Sequence, residues 1–408
     1  MVKIAIMGFG IVGSGVAEVV TNHKEDIGKK ICGAIELKYI LDIRDFPGNP
    51  FESKLTKDFN VILDDPEIDI VVETMGGTKP AYAFTKSLLE KGKSVITSNK
   101  ELVATHGAEL LKIANENNAN YLFEASVGGG IPIIRPLAQC LAANEILAIS
   151  GILNGTTNYI LTKMFRDGES FETALADAQA KGYAEKDPTA DIEGHDTCRK
   201  VCILASLAYG EHLYPEKVYT EGITKITAQD VRNAEESGYV IKLLGRIRRV
   251  HGDKVFAMVS PCLVEKSSPI ANVDDVFNGV LVTGDSVDDV MFYGRGAGKL
   301  PTASAVVADV IDAAKHMQSR KWISWKETDR DFVVDHLDAE ERYYLRVAKT
   351  ADAEAGIADI FGNVCYIHSD CADELAFITE KKVARNLEAE CEKLSAMGIE
   401  IKSKIRLL

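Results

Sequence analysis

Residues 3–13 read Lys-Ile-Ala-Ile-Met-Gly8-Phe9-Gly10-Ile11-Val12-Gly13, an apolar run that empties into G-x-G-x-x-G. The run suits a buried parallel strand and residues 14–20 continue at helical spacing, so the glycines stand where strand hands over to helix. In that setting Gly8 permits a tight turn, Gly10 lets a pyrophosphate approach the main chain, and Gly13 lets helix pack on strand. The helix N-terminus adds amide donors for the anion. The segment therefore predicts a dinucleotide-binding turn, with Gly8, Phe9, Gly10, Ile11, Val12 and Gly13 around the phosphates.

The pattern that follows supports it. Strand signals at 4–7, 37–41, 68–73, 94–97 and 120–123 alternate with helical ones from 14, near 51, at 80–90 and at 101–115. Such alternation implies a doubly wound parallel sheet with helices on both faces. Ligands of these sheets lie beyond the carboxyl ends of the strands. Here those ends carry Thr74-Met75-Gly76-Gly77, Ser98-Asn99-Lys100 and Ser126-Val127-Gly128-Gly129-Gly130. From 131 to about 335 the spacing becomes irregular, with strand-like 148–153, 254–263 and 279–284, which predicts a mixed α+β domain. A helix near 301–320 opens with Pro301, suited to a first turn, and is expected to pack back on the nucleotide domain. Residues 343–408 order as βαββαβ, the ferredoxin-like sequence of elements. The expected division is 1–131, 132–335 and 343–408 within the 408 residues.

Composition narrows the function. A net charge of -14 argues against nucleic acid, whose phosphates need clustered lysine and arginine. No apolar stretch is long enough to span a bilayer, and the first strand begins directly after Met1 without a signal-peptide pattern, so a cytoplasmic protein is expected. The eight cysteines form no C-x-x-C pair, and Cys198 and Cys202, one helical turn apart, have no completing pair for zinc.

At the end of the second strand, an acid would bind a ribose 2′-hydroxyl and an arginine would accommodate a 2′-phosphate. Asp42 and Arg44 supply both residue types, which leaves NAD and NADP open. The weight falls toward NADP, because Asp42 is placed early, inside the strand; Arg44 and Asp45 as a solvated surface pair is the bland alternative.

Residues 181–204 hold most of the chemistry: five carboxylates fall within twelve residues, and Asp196 and Lys200 stand at i and i+4 of a helix. Hydride reduction of a carbonyl needs a proton donor at the new alkoxide, which a partly desolvated lysine can provide. Spacing alone leaves a surface salt bridge equally open.

Four segments, Ser98-Asn99-Lys100, Gly-Gly-Gly-Ile131-Pro132, Gly151-Ile-Leu-Asn154-Gly-Thr-Thr-Asn158 and Gly182-Tyr-Ala-Glu185-x-Asp187-Pro-x-x-Asp191 continuing to Asp196 and Lys200, together resemble homoserine dehydrogenases. The resemblance runs from residue 1 to about 320 and implies reversible NAD(P)-dependent reduction of aspartate 4-semialdehyde to homoserine, on the route to threonine and methionine. Carried onto matching positions, it makes Lys200 the acid/base and sets Lys100 against substrate and nicotinamide. Glu185 and Asp196 would bind the substrate ammonium with support from Asp191, while Ser98, Gly182 and Gly298 would line the cofactor. A monovalent cation, sodium, would sit at Glu124, Val127, Gly129 and Ile131, through main-chain carbonyls and one carboxylate. A homodimer or homotetramer is implied as well.

The C-terminal unit resembles an ACT domain, which implies threonine sensing. Its first loop, 349–357, lacks the Asp-x-Pro-Gly of that family's ligand turn, so a pairing role in an oligomer stands beside the effector role. Two rivals remain: a semialdehyde-oxidising dehydrogenase, which would need a cysteine nucleophile, and a non-catalytic redox sensor, which would not need Lys100, Glu185, Asp196 or Lys200.

Overall fold

The computed structural model describes residues 1–250, 253–319 and 323–408. They form two compact units, Met1–Glu145 with Cys202–Pro215 and Gly294–Arg330, and Ile146–Val201 with Glu216–Tyr293 and Asp331–Leu408. Residues 132–145 thus group with the nucleotide domain, and 343–408 with the central one. Among the described residues no helix is long and apolar enough to cross a membrane.

The first unit is a six-stranded sheet of β1 (Val2–Met7), β2 (Ile35–Leu41), β3 (Leu55–Thr56), β4 (Ile70–Glu73), β5 (Ser94–Thr97) and β6 (Tyr121–Leu122), in the order β3-β2-β1-β4-β5-β6. All its pairings are parallel. The central strands are covered on both faces, so Ile4, Ala5, Ile6, Met7, Ile70, Val71 and Val72 are fully buried and read as unbroken apolar runs. The helix expected near 51 is only one turn of 3₁₀ helix, Glu52–Lys54. Pro47 and Pro50 precede it and β3 begins at Leu55, which leaves no room for more. The helix Lys299–Lys315 belongs to this unit and lies on the helix Ile11–Asn22. Gly15 makes that approach possible: a Cβ there would meet the Lys299 carbonyl oxygen at 2.9 Å. Position 320, the expected end of this helix, lies outside the described residues.

The second unit carries a ten-stranded mixed sheet. Its strands are β7 (Ile146–Ile152), β8 (Tyr219–Thr220), β9 (Tyr239–Val250), β10 (Lys254–Glu265), β11 (Phe277–Gly284), β12 (Asp288–Arg295), β14 (Tyr343–Ala348), β15 (Val364–Ile367), β16 (Glu374–Thr379) and β18 (Ile401–Leu407). They run in the order β12-β11-β7-β9-β10-β18-β14-β16-β15, with β8 on β10; the short strands β13 (Glu340–Glu341) and β17 (Lys382–Val383) pair separately. The C-terminal βαββαβ unit closes its own core under the helices Ala353–Phe361 and Ala384–Ala396, around Leu345, Ile357, Phe377 and Leu387. Its sheet nonetheless continues the central one, because β18 pairs with β10 at Cys262↔Arg406 and Leu263↔Leu407.

Three strands of this sheet, the two-residue β8 and the longer β9 and β12, have no counterpart in the sequence reading. β9 forms a twelve-residue antiparallel ladder with β10 although it carries Lys242, Arg246, Arg248 and Arg249. Acids brought against two of them account for that. Lys242 pairs with Asp274 at 3.0 Å and Arg246 with Glu341 at 2.7 Å.

Candidate functional site

The phosphate turn is defined by three glycines with three different environments. Gly8 has φ +93, and a Cβ on it would lie 2.8 Å from the Thr74 oxygen; a Cβ on Gly13 would lie 1.9 Å from the oxygen of Gly8 itself. Around Gly10 there is nothing within 4 Å of a Cβ. The first and third glycines therefore let strand and helix close on the turn, while the second keeps open space at the N-cap of the helix Ile11–Asn22. A pyrophosphate fits that arrangement.

Asp42 is the first residue after β2, not inside it, since the strand closes at Leu41. Its carboxylate accepts from Phe9 N at 2.7 Å, Arg44 N at 2.9 Å, Arg44 Nε at 3.0 Å and Arg44 Nη2 at 2.9 Å. The hydrogen bonds from the Arg44 side chain hold its carboxyl down at about 2. Arg44 and Asp45 are not a pair, because Asp45 bonds Lys57 at 2.7 Å. The guanidinium stays more than half exposed.

At the next strand ends, Ser98 is half-buried and Asn99 caps the helix Lys100–Glu116 by accepting from Leu102 N at 3.1 Å. Lys100 is thereby the first helical residue, half-buried. The glycines of 128–130 are explained by a close approach: a Cβ on Gly129 would lie 2.3 Å from the Gly296 oxygen, and Gly130 N donates to the Arg295 oxygen at 3.1 Å. Gly298 has φ +124 and caps the helix Lys299–Lys315.

The proposed cation residues need one correction. The Glu124 carboxylate is buried and turned toward main-chain donors, accepting from Ile133 N at 2.6 Å, Ile134 N at 2.8 Å and Arg135 N at 2.8 Å. It caps the chain there, because three orphan N–H groups at a chain turn bind an anion well. That leaves main-chain oxygens of residues 124, 127, 129 and 131 as the candidate donors, Val127 and Ile131 being buried. Beside Glu124, burial raises the Asp309 carboxyl to about 7, with Arg135 as its ion-pair partner.

In the second unit the geometry joins three of the expected residues around one that spacing did not single out. Lys200 Nζ donates to the Leu153 oxygen at 2.5 Å and to Asp196 Oδ2 at 2.7 Å. Both side chains are less than a tenth exposed, which excludes the weak surface salt bridge. Asn154 Nδ2 bridges the acids, donating to Asp191 Oδ1 at 2.7 Å and Asp196 Oδ2 at 2.9 Å. Its Oδ1 meanwhile caps the helix Gly155–Arg166 through Thr157 N at 2.9 Å. The signal for Asn154 was an Asn immediately before Gly-Thr-Thr, a helix-start pattern. Glu185 is exposed, and Gln179 holds its main-chain oxygen at 3.0 Å; its carboxylate is not part of this network. Gly182 has φ +73 with open space about it. Cys198 and Cys202 are buried on the same helix.

The arrangement offers a dinucleotide turn and a positioned, ion-paired ammonium. Residues 132–311 match the family model described as homoserine dehydrogenase, and residues 8–124 that of the homoserine dehydrogenase NAD-binding domain. The homoserine dehydrogenase of Synechocystis sp. is 46% identical over 319 residues, 76% of this chain and 73% of that protein. That of Pseudomonas aeruginosa is 42% identical over 354 residues, 85% of this chain and 81% of the relative. Among solved structures, a homoserine dehydrogenase from Thiobacillus denitrificans superposes with a TM-score of 0.91 at 36% identity, covering 100% of this chain and 98% of that one. A hyperthermophilic archaeal homoserine dehydrogenase in complex with NADPH gives a TM-score of 0.66 at 29% identity, over 76% and 97%. The chain belongs to the homoserine dehydrogenase family.

Proposed function

We propose that the protein interconverts L-aspartate 4-semialdehyde and L-homoserine with Lys200 as the acid/base. The observation that carries this role is the buried Lys200 ammonium, fixed by Asp196 and the Leu153 carbonyl. With two acceptors fixing its direction, it is oriented to give a proton to an oxygen placed beside it. In reduction, Lys200 donates that proton to the carbonyl oxygen as the carbon gains hydride; in oxidation, it takes the proton from the hydroxyl. The bound dinucleotide supplies or accepts the hydride. Asp196 keeps the ammonium in place, and Asn154 keeps Asp196 in place.

Lys100 is assigned to hold substrate against nicotinamide, Glu185 and Asp191 with Asp196 to take the substrate ammonium, and Ser98, Gly182 and Gly298 to line the cofactor. A carboxylate binds an ammonium with strong, charge-assisted hydrogen bonds. For the adenosine end, NADP is the better fit. All four acceptor directions of Asp42 are already met by Phe9 and Arg44. A 2′-hydroxyl finds no acceptor there, whereas the half-exposed guanidinium can meet a 2′-phosphate. The main-chain oxygens at 124, 127, 129 and 131 are assigned to sodium. The C-terminal module is assigned two roles of equal weight, threonine effector site and pairing module of an oligomer, since its loop 349–357 lacks Asp-x-Pro-Gly.

The test is oxidation of NADPH with aspartate semialdehyde by wild type and Lys200→Ala. Loss of a positioned acid/base lowers the rate by about 10² to 10⁴. Equal turnover of the two proteins would remove Lys200 from the chemistry, and a wild type inactive with either dinucleotide would remove the function.

A further inference from the structure

The most deeply buried acid of the first unit has no part in the mechanism above. Glu73 ends β4 and is 0% exposed. Its Oε1 accepts from Met75 N at 2.7 Å and its Oε2 from the Thr97 hydroxyl at 2.6 Å. Glu73 and Thr97 are register partners in β4 and β5, so the bond crosses between neighbouring strands at their carboxyl ends. Thr97 Oγ1 in turn accepts from Asn99 N at 2.9 Å, and Asn99 Nδ2 donates to the Gly77 oxygen at 2.6 Å. The two turns are thus closed into a ring of hydrogen bonds with the carboxylate at its root. One turn carries Thr74, whose hydroxyl donates to the Gly8 oxygen at 2.8 Å; the other delivers Lys100 as the first residue of its helix.

The donors around Glu73 are a hydroxyl, main-chain N–H groups and a carboxamide, and burial pushes its carboxyl up. The nearby Tyr121 hydroxyl is buried and bonds to nothing among the described residues. Burying a carboxyl among neutral groups lowers stability unless its hydrogen bonds compensate. A leucine would fill such a place at less expense if packing were its only task.

We infer that Glu73 is a positioning residue, which fixes Lys100 and the turn at 74–77 through Thr97 and Asn99. The inference rests on the assignment of Lys100 to substrate and nicotinamide. The anchoring of the phosphates depends on Gly8, Gly10 and Gly13, so loosening the Glu73 ring disturbs the reacting end more than dinucleotide affinity.

The test uses the full chain with Glu73→Gln and Thr97→Val, singly and together. Melting curves, NADPH affinity by fluorescence, and kcat, KM and the primary deuterium isotope effect with homoserine are recorded. The expected result is a kcat at least tenfold lower, an NADPH affinity within about threefold of wild type and a larger isotope effect. Because both groups act through one bond, the double variant should be no worse than the poorer single one. Turnover per NADPH-binding site within twofold of wild type in both single variants would overturn the inference while leaving the enzyme reading intact. Loss of the fold in both would place Glu73 in stability alone and overturn it too. A wild type without turnover would overturn the enzyme reading, and this inference with it.

Discussion

The turn at residues 8–13 is shaped by atoms that are missing, whereas the cluster around Lys200 is shaped by side chains that hold one another. Gly13 has no space for a methyl group, and Gly10 keeps space that nothing in the protein fills. Around Lys200 hydrogen bonds link polar groups to one another: a carbonyl, two aspartates and one asparagine. A site of the first kind is damaged by adding one carbon. A site of the second kind is damaged by removing one donor, and the damage reaches its partners.

The largest expected effect tests the first half of that contrast. In Gly13→Ala the new carbon meets the Gly8 oxygen at 1.9 Å, against backbone that cannot yield. Overpacking of about 3 kcal/mol falls on the folded state, so the melting temperature should fall, and the displaced turn should bind NADPH poorly by fluorescence. Gly10→Ala, facing open space, should melt as wild type yet bind NADPH poorly. Equal behaviour of the two would break the distinction.

Asn154 tests the second half. Asn154→Asp keeps an oxygen to cap the helix Gly155–Arg166 but loses the donor to Asp191 and Asp196. Losing a hydrogen bond to a charged group is worth about 1.5–3 kcal/mol, so kcat/KM should fall roughly tenfold to a hundredfold with little change in melting. Asn154→Ala loses the cap as well, and should melt lower by about 1 kcal/mol of stability.

Arg44→Ala is a smaller change, confined to the adenosine end: NADP affinity should weaken about tenfold and NAD affinity should hold. An equal loss for both cofactors would mean that Arg44 reads no phosphate.

The smallest effect lies in Asp309. Its carboxyl, raised from 3.8 to about 7 by burial beside Glu124, binds a proton more tightly folded than unfolded. Stability from this group is complete below about pH 4 and is lost as the pH rises through 7. Of the charges that face it, Glu124 raises its carboxyl further and Arg135 opposes that. Melting temperatures between pH 5 and pH 8 should decline in wild type, and the slope should flatten in Asp309→Asn.

The parallel sheet was legible because its strands are buried on both faces, so Ile4–Met7 and Ile70–Val72 show their burial as apolar runs. The glycine turn was legible for a related reason: its function depends on residue type alone. β9 was not legible. Four basic residues broke its apolar pattern, and only the fold reveals that acids as distant as Asp274 and Glu341 meet two of them. At the site, the i,i+4 spacing found Asp196 and Lys200, but no spacing rule connects Asn154 with Asp191, which lie 37 residues apart. Glu124 came only from the family resemblance, and its bonds to residues 133–135 depend on a turn that sequence does not display.

The shared sheet has an implication for anyone who would treat residues 343–408 as a cassette. Arg406 of the module reaches Glu341 at 3.4 Å and Glu221 at 3.4 Å, Glu341 also takes Arg246 from β9, and Arg346 takes Asp230 at 2.8 Å. Excising residues 343–408 would strand Asp230 without Arg346 and Arg406 without Glu221 and Glu341, and an unpaired buried charge lowers stability severely. The module is therefore not portable by its own boundaries. A transplant that works must carry the opposite bank of the seam, Glu221, Asp230 and Glu341, along with it.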